Sequence, residues 1–451
     1  MQSEKQYIDL YNEAQQLIKD HAAPVLNEVR DKAFEDFRRL GFPDRKVERY
    51  KYTDMQKLFE PDYGLNLNRL EIPVNPYETF KCDVPNLSTS LYFIVNDQFY
   101  TKALPKTKLN DGIIVDSLNR IATEHPELVR KYYGRIAHTE ADAVTALNTM
   151  LAQDGLFIYV PKNVQMERTV QVVLRSRSAA DLLSHRRLLI VAEAGASVNV
   201  LVCEHADGTC RYLTTQVTEI YAGEDAAVSV YTLEETREGN HRFSNVYVEQ
   251  QARSCVSLNG LALTTGVSRT MTNVRLLGPG ADCQTAGVAI TDGRQQVDNN
   301  LLVDHVAEAC TSDMLFKYVL DGESRAAFAG KVLVRPGAQQ TLSQQNSANL
   351  CISPTAHVHS LPMLEIYADD VRCNHGSTIG KLDESALLYL RQRGIPLAEA
   401  RLLLQHAFVS DVLQRVPIEA LRLRLSDLVE RRFRGEQRHC ADGCDDCSVK
   451  L

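Results

Sequence analysis

The sequence predicts a mostly β protein with a parallel β-helix at its core and helical regions at both ends. Helical periodicity of apolar residues is confined to the first part of the chain and to the part after residue 380. Between residues 156 and 371, short runs rich in Val, Ile, Leu and Thr alternate with Gly, Asn and Asp. A weak repeat also runs through this middle part, and such repeats are typical of solenoid proteins.

Four related segments carry the repeat, and in each of them small residues lead into a short strand. They are AGASVNV from residue 194, EDAAVSV from 224, ARSCVSL from 252 and GADCQTAGV from 280. Successive segments start 30, 28 and 28 residues apart, which favours stacked coils that each bury one face on the next. A β-sandwich with long hairpins is the alternative. The coil interpretation predicts that three cysteines point inward as small core residues, namely Cys203, Cys255 and Cys283.

The first third of the chain, 1–155, is expected to form an N-terminal region of helices with short strands. Apolar residues recur at helical spacing over 3–40, and a glycine and a proline follow to end that helix. The segment SLYFIVNDQFY has strand character, and a second helical block covers 116–153. The β-helix core is then assigned to 156–380.

Helical periodicity returns over 381–435, which we assign to a C-terminal helical domain that binds a partner. Its first helix has Asp383 or Ser385 as its N-cap. The second helix carries an apolar stripe, which has surface to offer another protein because the β-helix already has its own core. The residues predicted to bind the partner are Leu402, Leu403 and Phe408. The remaining residues, 436–451, are expected to form a flexible tail that contains cysteines.

Composition excludes several classes of protein. The 451 residues carry a net charge of −8, whereas a nucleic-acid-binding protein needs a basic surface. No apolar run approaches the roughly 20 residues of a transmembrane helix, and the N-terminus lacks the apolar core of a signal peptide. Eleven cysteines without an export signal favour a reducing compartment. We therefore expect a cytoplasmic protein that binds neither nucleic acid nor membranes.

The segment RCNHGSTIGKL, at the end of the predicted β-helix, holds the candidate functional residues. Its GSTIGK run has three residues between the glycines instead of four, and a leucine follows the lysine, so it is not a nucleotide-binding P-loop. Cys373 and His375 are two residues apart, and on a strand their side chains point to one face. The two side chains are then able to converge on a ligand. The alternative is that Cys373 packs inward and His375 is an ordinary surface histidine.

The segment LEIYADDVRCNHGSTIGKLDESALLYLRQRGI resembles the junction sequence of the SufB/SufD family of iron–sulfur cluster assembly proteins. The resemblance extends upstream through DNNLLVDHVAEACTSDMLFKYVLDGESRAAFAGKVLVRPGAQQTLSQQN, and RKVERYKYTDMQKLF is similar to the family's N-terminal motif. It therefore covers most of the chain. The CNHGST version of the junction is similar to the SufD branch, whereas the SufB branch typically carries a Glu-His-Glu-Ala-Thr-Thr pattern there.

The resemblance implies a right-handed β-helix and a non-catalytic scaffold subunit. It implies assembly with a SufB-like paralogue and with a SufC-like ABC-type ATPase that supplies ATP hydrolysis. The family's functional histidine corresponds to His375, near the SufB interface, and Cys373 corresponds to a cysteine common at its position. No tightly bound cofactor is expected, beyond iron or an iron–sulfur cluster held transiently at that interface, where imidazole and thiolate suit iron. A homodimer of the isolated chain is compatible with the sequence.

The tail HCADGCDDCS departs from the family's usual pattern. It spaces Cys440, Cys444 and Cys447 as C-x3-C-x2-C, directly after His439. Three thiolates and an imidazole suit a tetrahedral site for zinc or iron, so we predict that these residues bind metal. A tail whose cysteines have no such role is the alternative.

Two other functions compete with a SufD-like scaffold. A SufB-like scaffold is disfavoured by the CNHGST version of the junction. A carbohydrate-active β-helix enzyme needs paired carboxylates in the groove of the coil, and the coil period aligns none. Such enzymes are also usually exported, and an export signal is not found here.

Overall fold

The computed structural model describes residues 3–70, 75–79, 84, 87–102 and 112–436. In this part the chain forms a two-sheet parallel β-helix of about eight turns, with helical regions before and after it. The predicted fold class is confirmed.

The N-terminal helices begin and end where the sequence supplies caps and breakers. They are α1 (Ser3–Asp20), α2 (Pro24–Asn27), α3 (Arg30–Leu40), α4 (Met55–Phe59), α5 (Pro76–Thr79), α6 (Leu118–Glu124), α7 (Pro126–Tyr132) and α8 (Ala143–Leu151). Pro126 starts α7, where its missing N–H costs no hydrogen bond. Asp142 caps α8 by accepting the N–H of Thr145. The helix predicted over 3–40 is present but interrupted before Pro24, because proline cannot continue a helix.

The β-helix is built from long strands that alternate between two sheets. In chain order they are β1 (Thr89–Val95), β2 (Gln98–Phe99), β3 (Ile114–Ser117), β4 (Leu156–Val160), β5 (Thr169–Ser176), β6 (Leu182–Ala192), β7 (Ser197–Ala206), β8 (Tyr212–Ala222), β9 (Ala227–Glu235), β10 (Asn240–Gln250), β11 (Cys255–Thr264), β12 (Val267–Leu276), β13 (Asp282–Thr291), β14 (Gln296–His305), β15 (Thr311–Leu320), β16 (Arg325–Val334), β17 (Thr341–Cys351), β18 (His357–Ile366) and β19 (Val371–Gly380). From β4 onward the even-numbered strands form one sheet, which we call the even sheet, and the odd-numbered strands form the odd sheet. Pairing within each is parallel, and β1 already pairs with β5.

Successive coils stack their inward side chains in columns. One such column runs through the odd sheet, and each of its residues pairs in register with the next. Its members are Val198, Val228, Val256, Cys283, Ser312, Ser343 and Cys373. The four predicted repeat segments lead into the first four of these strands, so the repeat in the sequence is the repeat of the coil. The space enclosed between the two sheets, the lumen, is filled by such columns.

Two of the three cysteines predicted to face the lumen do not. Cys283 is buried in the lumen, whereas Cys203 is buried on the outer face of the odd sheet and Cys255 is exposed. The prediction was wrong for these two because side chains alternate across a strand, so an error of one residue in register reverses the face.

Polar and charged side chains lie inside the early and middle coils. The carboxylate of Glu204 lies between Arg186 and Arg242, with an oxygen 2.6 Å from a nitrogen of each guanidinium. Further along the lumen is a cavity of about 110 Å³. At the next coils Phe316 and Phe328 fill the lumen, and their ring centroids are 4.9 Å apart. The charged side chains in the lumen need partners of opposite charge, as Glu204 has in Arg186 and Arg242, because an unpaired buried charge is costly.

Helices cover the outer faces of most coils. The N-terminal helices lie on the even sheet, where Arg187 and Glu219 form an ion pair with both side chains fully buried and a nitrogen and an oxygen 2.6 Å apart. The C-terminal helices lie on the odd sheet, with Val409 and Val412 packed into its outer cluster. They are α9 (Glu384–Gln392), α10 (Leu397–Gln414) and α11 (Glu419–Phe433). No helix among the described residues is long and apolar enough to cross a membrane.

Candidate functional site

The last two strands, β18 and β19, form what we call the open coil. Within the described residues β18 pairs only with β16, and β19 only with β17. Neither strand contains a buried residue. Apolar side chains are exposed on it and beside it, namely Leu342, Leu361, Met363, Ile366, Tyr367 and Ile379. Unpaired strand edges with exposed apolar side chains are typical of surfaces that bind another protein.

Cys373 and His375 both lie on β19 and share one face of it. Cys373 is in register with Ser343 and His375 with Gln345, two residues that face the lumen in the preceding coil. Because no further coil follows in the described part of the chain, the His375 imidazole is exposed there, while Cys373 is half-buried against the end of the core. The structure therefore brings the two predicted residues together at the open end of the lumen.

The environment of the Cys373 thiol favours its neutral form. Burial raises its pKa, and a backbone hydrogen bond from Ser343 opposes that effect only in part. A thiol becomes a metal ligand as the thiolate, so ligation by Cys373 requires a nearby cation to favour loss of the proton. His375 is exposed, and a histidine ligates a metal through a ring nitrogen of its imidazole.

The two residues alone make an incomplete site. Among the described residues, no three His, Cys, Asp or Glu side chains lie close enough together to hold a metal ion. Imidazole and thiolate both suit iron and iron–sulfur clusters, but two donors are fewer than the four that such sites use. Iron or a cluster bound here as cargo therefore needs ligands beyond those that the described residues offer.

The N-terminal segment reaches the open coil, which sequence reasoning missed. The ring of Tyr52 stacks on His359 of β18 with centroids 4.2 Å apart. Next to it, Thr53 Oγ1 donates to the buried carboxylate of Asp298 over 2.7 Å. Tyr52 and Thr53 belong to the motif RKVERYKYTDMQKLF, so the motif fixes the N-terminal region to the outer face of the even sheet. Its tyrosines were the available signal, because buried or stacked aromatics commonly anchor one element on another.

The three residues predicted to bind a partner through the C-terminal domain have different environments. Leu402 is 8% exposed, and Phe408 is half-buried, with Lys317 over its ring. Leu403 is 42% exposed and is available to another protein. Helix α9 has no buried residue, and the exposed apolar side chains near Leu403 in sequence are Leu388, Tyr389 and Leu397. A helical stripe alone did not distinguish the inward from the outward leucine, since the two are adjacent in sequence.

The cysteines of the tail lie outside the described residues. The predicted metal ligands Cys440, Cys444 and Cys447, with His439, belong to 437–451. Metal binding by the tail stays a prediction.

Comparison with known proteins agrees with this architecture. A family model for the SufBD N-terminal region matches residues 1–172, and a model for the SufBD core domain of the SUF system of iron–sulfur cluster assembly matches 174–408. The chain belongs to the SufBD family. Membership confirms the resemblance found in the sequence and assigns the protein to iron–sulfur cluster assembly in the SUF system.

Relatives match over most of their length. A SufBD family protein of iron–sulfur cluster assembly from Synechocystis is 28% identical over 404 residues, 87% of this chain and 88% of that protein. The cluster assembly protein SufD of Bacillus subtilis is 28% identical over 366 residues, 78% of this chain and 81% of that protein. SufD of Escherichia coli is 24% identical over 404 residues, 89% and 91% of the two chains.

Proposed function

We propose that this protein is a SufD-type scaffold subunit that acts in a complex with a SufB-like paralogue and a SufC-like ATPase. The observation that carries the proposal is the open coil, where Cys373 and His375 lie at an end of the β-helix that the described helices leave uncovered, whereas they cover most other coils. A partner that pairs with these strand edges covers the exposed apolar side chains and supplies the missing ligands. Relatives named SufD support the assignment to this branch.

In this proposal His375 is the residue that contacts iron or the nascent cluster. Its imidazole is exposed at the edge where a paralogue docks, and a neutral imidazole is a suitable ligand for iron. Cys373 is the second donor, used once a cation at the interface favours its thiolate. The chain itself is not a catalyst, and ATP hydrolysis belongs to the ATPase subunit.

The ATPase is proposed to bind the C-terminal helical domain. The surface that supports this is the exposed side of α9 and α10, with Leu403 and the neighbouring Leu388 and Tyr389. Phe408 contributes indirectly, because it helps to pack α10 on the β-helix, and the buried Leu402 is not available to a partner. In co-purification with the ATPase, Leu403→Asp should lose most of the ATPase, and Leu70→Asp, at another exposed leucine, should retain it.

The central test replaces His375 in a strain that depends on this protein for cluster assembly. His375→Ala should leave co-purification with the paralogue and the ATPase unchanged while the activity of a cluster-dependent reporter enzyme falls at least several-fold. The matched control is His357→Ala, at an exposed histidine of β18. Full reporter activity in the His375→Ala strain would remove His375 from the site. Loss of the complex in that strain would show that the residue serves assembly of the subunits instead.

A further inference from the structure

Next to His375, on the strand of the preceding coil, lies Gln345, whose side-chain amide forms a hydrogen bond through its nitrogen but not through its oxygen among the described residues. Gln345 is 1% exposed and is the in-register neighbour of His375 on the adjacent strand. Its Nε2 donates to the carbonyl oxygen of Gly330 over 3.0 Å. Its Oε1 is buried and has no hydrogen-bond partner among the described residues. Buried acceptors are nearly always satisfied, so an unpaired one beside a functional residue calls for a partner.

The backbone opposite is shaped to admit this amide. A Cβ on Gly330 would lie 2.2 Å from Nε2 of Gln345 and 2.9 Å from the ring of Phe328. Any other residue at position 330 would therefore displace the amide from the carbonyl it binds. Because one end of the amide is fixed in this way, the direction of its other end, the acceptor Oε1, is fixed as well.

We propose that Gln345 is a positioning residue for His375, with its Oε1 accepting the N–H of the His375 imidazole. Strands in a sheet are about 4.8 Å apart, so in-register side chains of this length are within reach of each other. A neutral imidazole has one N–H and one bare nitrogen. Holding the N–H toward the lumen leaves the bare nitrogen directed outward, where it is free to bind iron. Metal-binding histidines are oriented by such a second hydrogen bond in many sites.

The inference rests on the proposed function of His375, but the contact itself is measurable without iron or partners. The experiment uses the full-length protein with 15N-labelled histidine side chains, and long-range proton–nitrogen spectra report which ring nitrogen carries the proton. The His375 signal is assigned by its absence in His375→Ala. In the wild-type protein one tautomer should dominate. Comparable amounts of both tautomers in the wild-type protein would overturn the proposal.

Substitutions then test the glutamine. Gln345→Met removes the acceptor at similar size and should lower the tautomer ratio about five-fold, which corresponds to one neutral hydrogen bond of roughly 1 kcal/mol. Gln345→Glu keeps an acceptor oxygen and should retain the preference. The control is Gln344→Met, at the exposed neighbouring position, which should change nothing. An unchanged ratio in Gln345→Met, with unfolding still cooperative, would overturn the proposal.

The two proposals fail in different experiments. If His375→Ala is silent in cells while Gln345→Met shifts the tautomer, the positioning contact stands and the role of His375 in assembly falls. If His375→Ala impairs assembly while Gln345→Met leaves the tautomer unchanged, the reverse holds. When both effects are present, Gln345→Met should also reduce reporter activity, and Gln345→Glu should restore most of it.

Discussion

At the amino end of the β-helix every residue of β5 and β6 is buried, whereas at the other end no residue of β18 and β19 is. At both ends, neighbouring strands of a sheet are parallel and pair residue by residue without a shift in register. Coil formation therefore does not require a cover of helices, because each coil stacks on its neighbour. The two ends differ in what surrounds them. The side chains of the covered coils are buried and stabilise the fold, whereas those of the open coil are accessible to a partner.

The largest expected effect is the loss of stability when a buried ion pair of the covered coils is broken, compared with an exposed ion pair near the open end. Replacing Arg187 with Met should lower the free energy of unfolding by about 3–5 kcal/mol, because it leaves Glu219 buried without its partner. Glu219 would keep only N–H donors, including that of Gly134 over 2.9 Å. The matched change is Lys331→Met, at an ion pair with Glu365 that is over a third exposed, and it should cost less than about 1 kcal/mol. Denaturant unfolding of both variants checks this, and equal losses would contradict the contrast.

The second prediction concerns acid sensitivity of the covered coils. His185 is fully buried on the even sheet, with Nδ1 2.7 Å from Thr215 Oγ1, and burial lowers its pKa to about 3. In the unfolded chain its pKa is about 6.5, so below that pH the unfolded state binds a proton that the folded state does not. Stability from this group is fully present above pH 6.5 and is lost as the pH falls toward 3.

His185→Gln should therefore flatten the dependence of the free energy of unfolding on pH. Between pH 6.5 and 4.5 the wild-type protein should lose roughly 2 kcal/mol more than the variant, because the slope approaches about 1.4 kcal/mol per pH unit only below the unfolded-state pKa. Above pH 7 the two proteins should have parallel profiles, which serves as the internal control. Parallel profiles at acid pH as well would show that His185 is not the group responsible.

The third prediction compares two glycines. A Cβ on Gly287 would lie 2.6 Å from the ring of Phe316, which is packed against Phe328 in the lumen. Gly287→Ala should cost about 1–3 kcal/mol, because a contact this short forces the ring out of its packing against Phe328. On the open coil a Cβ on Gly376 would meet its nearest atom, of Asn346, at 3.7 Å, so Gly376→Ala should be close to neutral. Unfolding measurements on the two variants test the ranking, and a loss at Gly376 as large as that at Gly287 would refute it.

The sequence was sufficient for the architecture because the physics of a coil is repetitive. Small residues recur wherever the chain turns into a strand of the odd sheet, so a period of 28–30 residues was visible despite weak similarity. The face of each side chain was harder to predict. Cys255 shares its small size with Cys283 but lies one position from the inward Val256, and only the register of neighbouring strands settles that.

The candidate site was predicted in part. The spacing of Cys373 and His375 placed both on one face of a strand, which the structure bears out. It did not reveal Gln345 beneath them, which is 30 residues away in sequence and adjacent only through the coil. The burial of Leu402 was likewise not predictable from its stripe, because burial depends on tertiary packing and the exposed Leu403 is its neighbour in sequence.

The column of inward residues that runs from Val198 to Cys373 also determines a distance along the solenoid axis. It contains six steps between adjacent strands, and at about 4.8 Å each these span roughly 29 Å. The number of coils thus sets how far the open coil stands from the first turns of the solenoid. Adding or removing one whole coil would move His375 by a single strand spacing and leave its immediate surroundings intact. Reach and chemistry are therefore separately adjustable in this fold, the first by coil number and the second by the residues of the last turn.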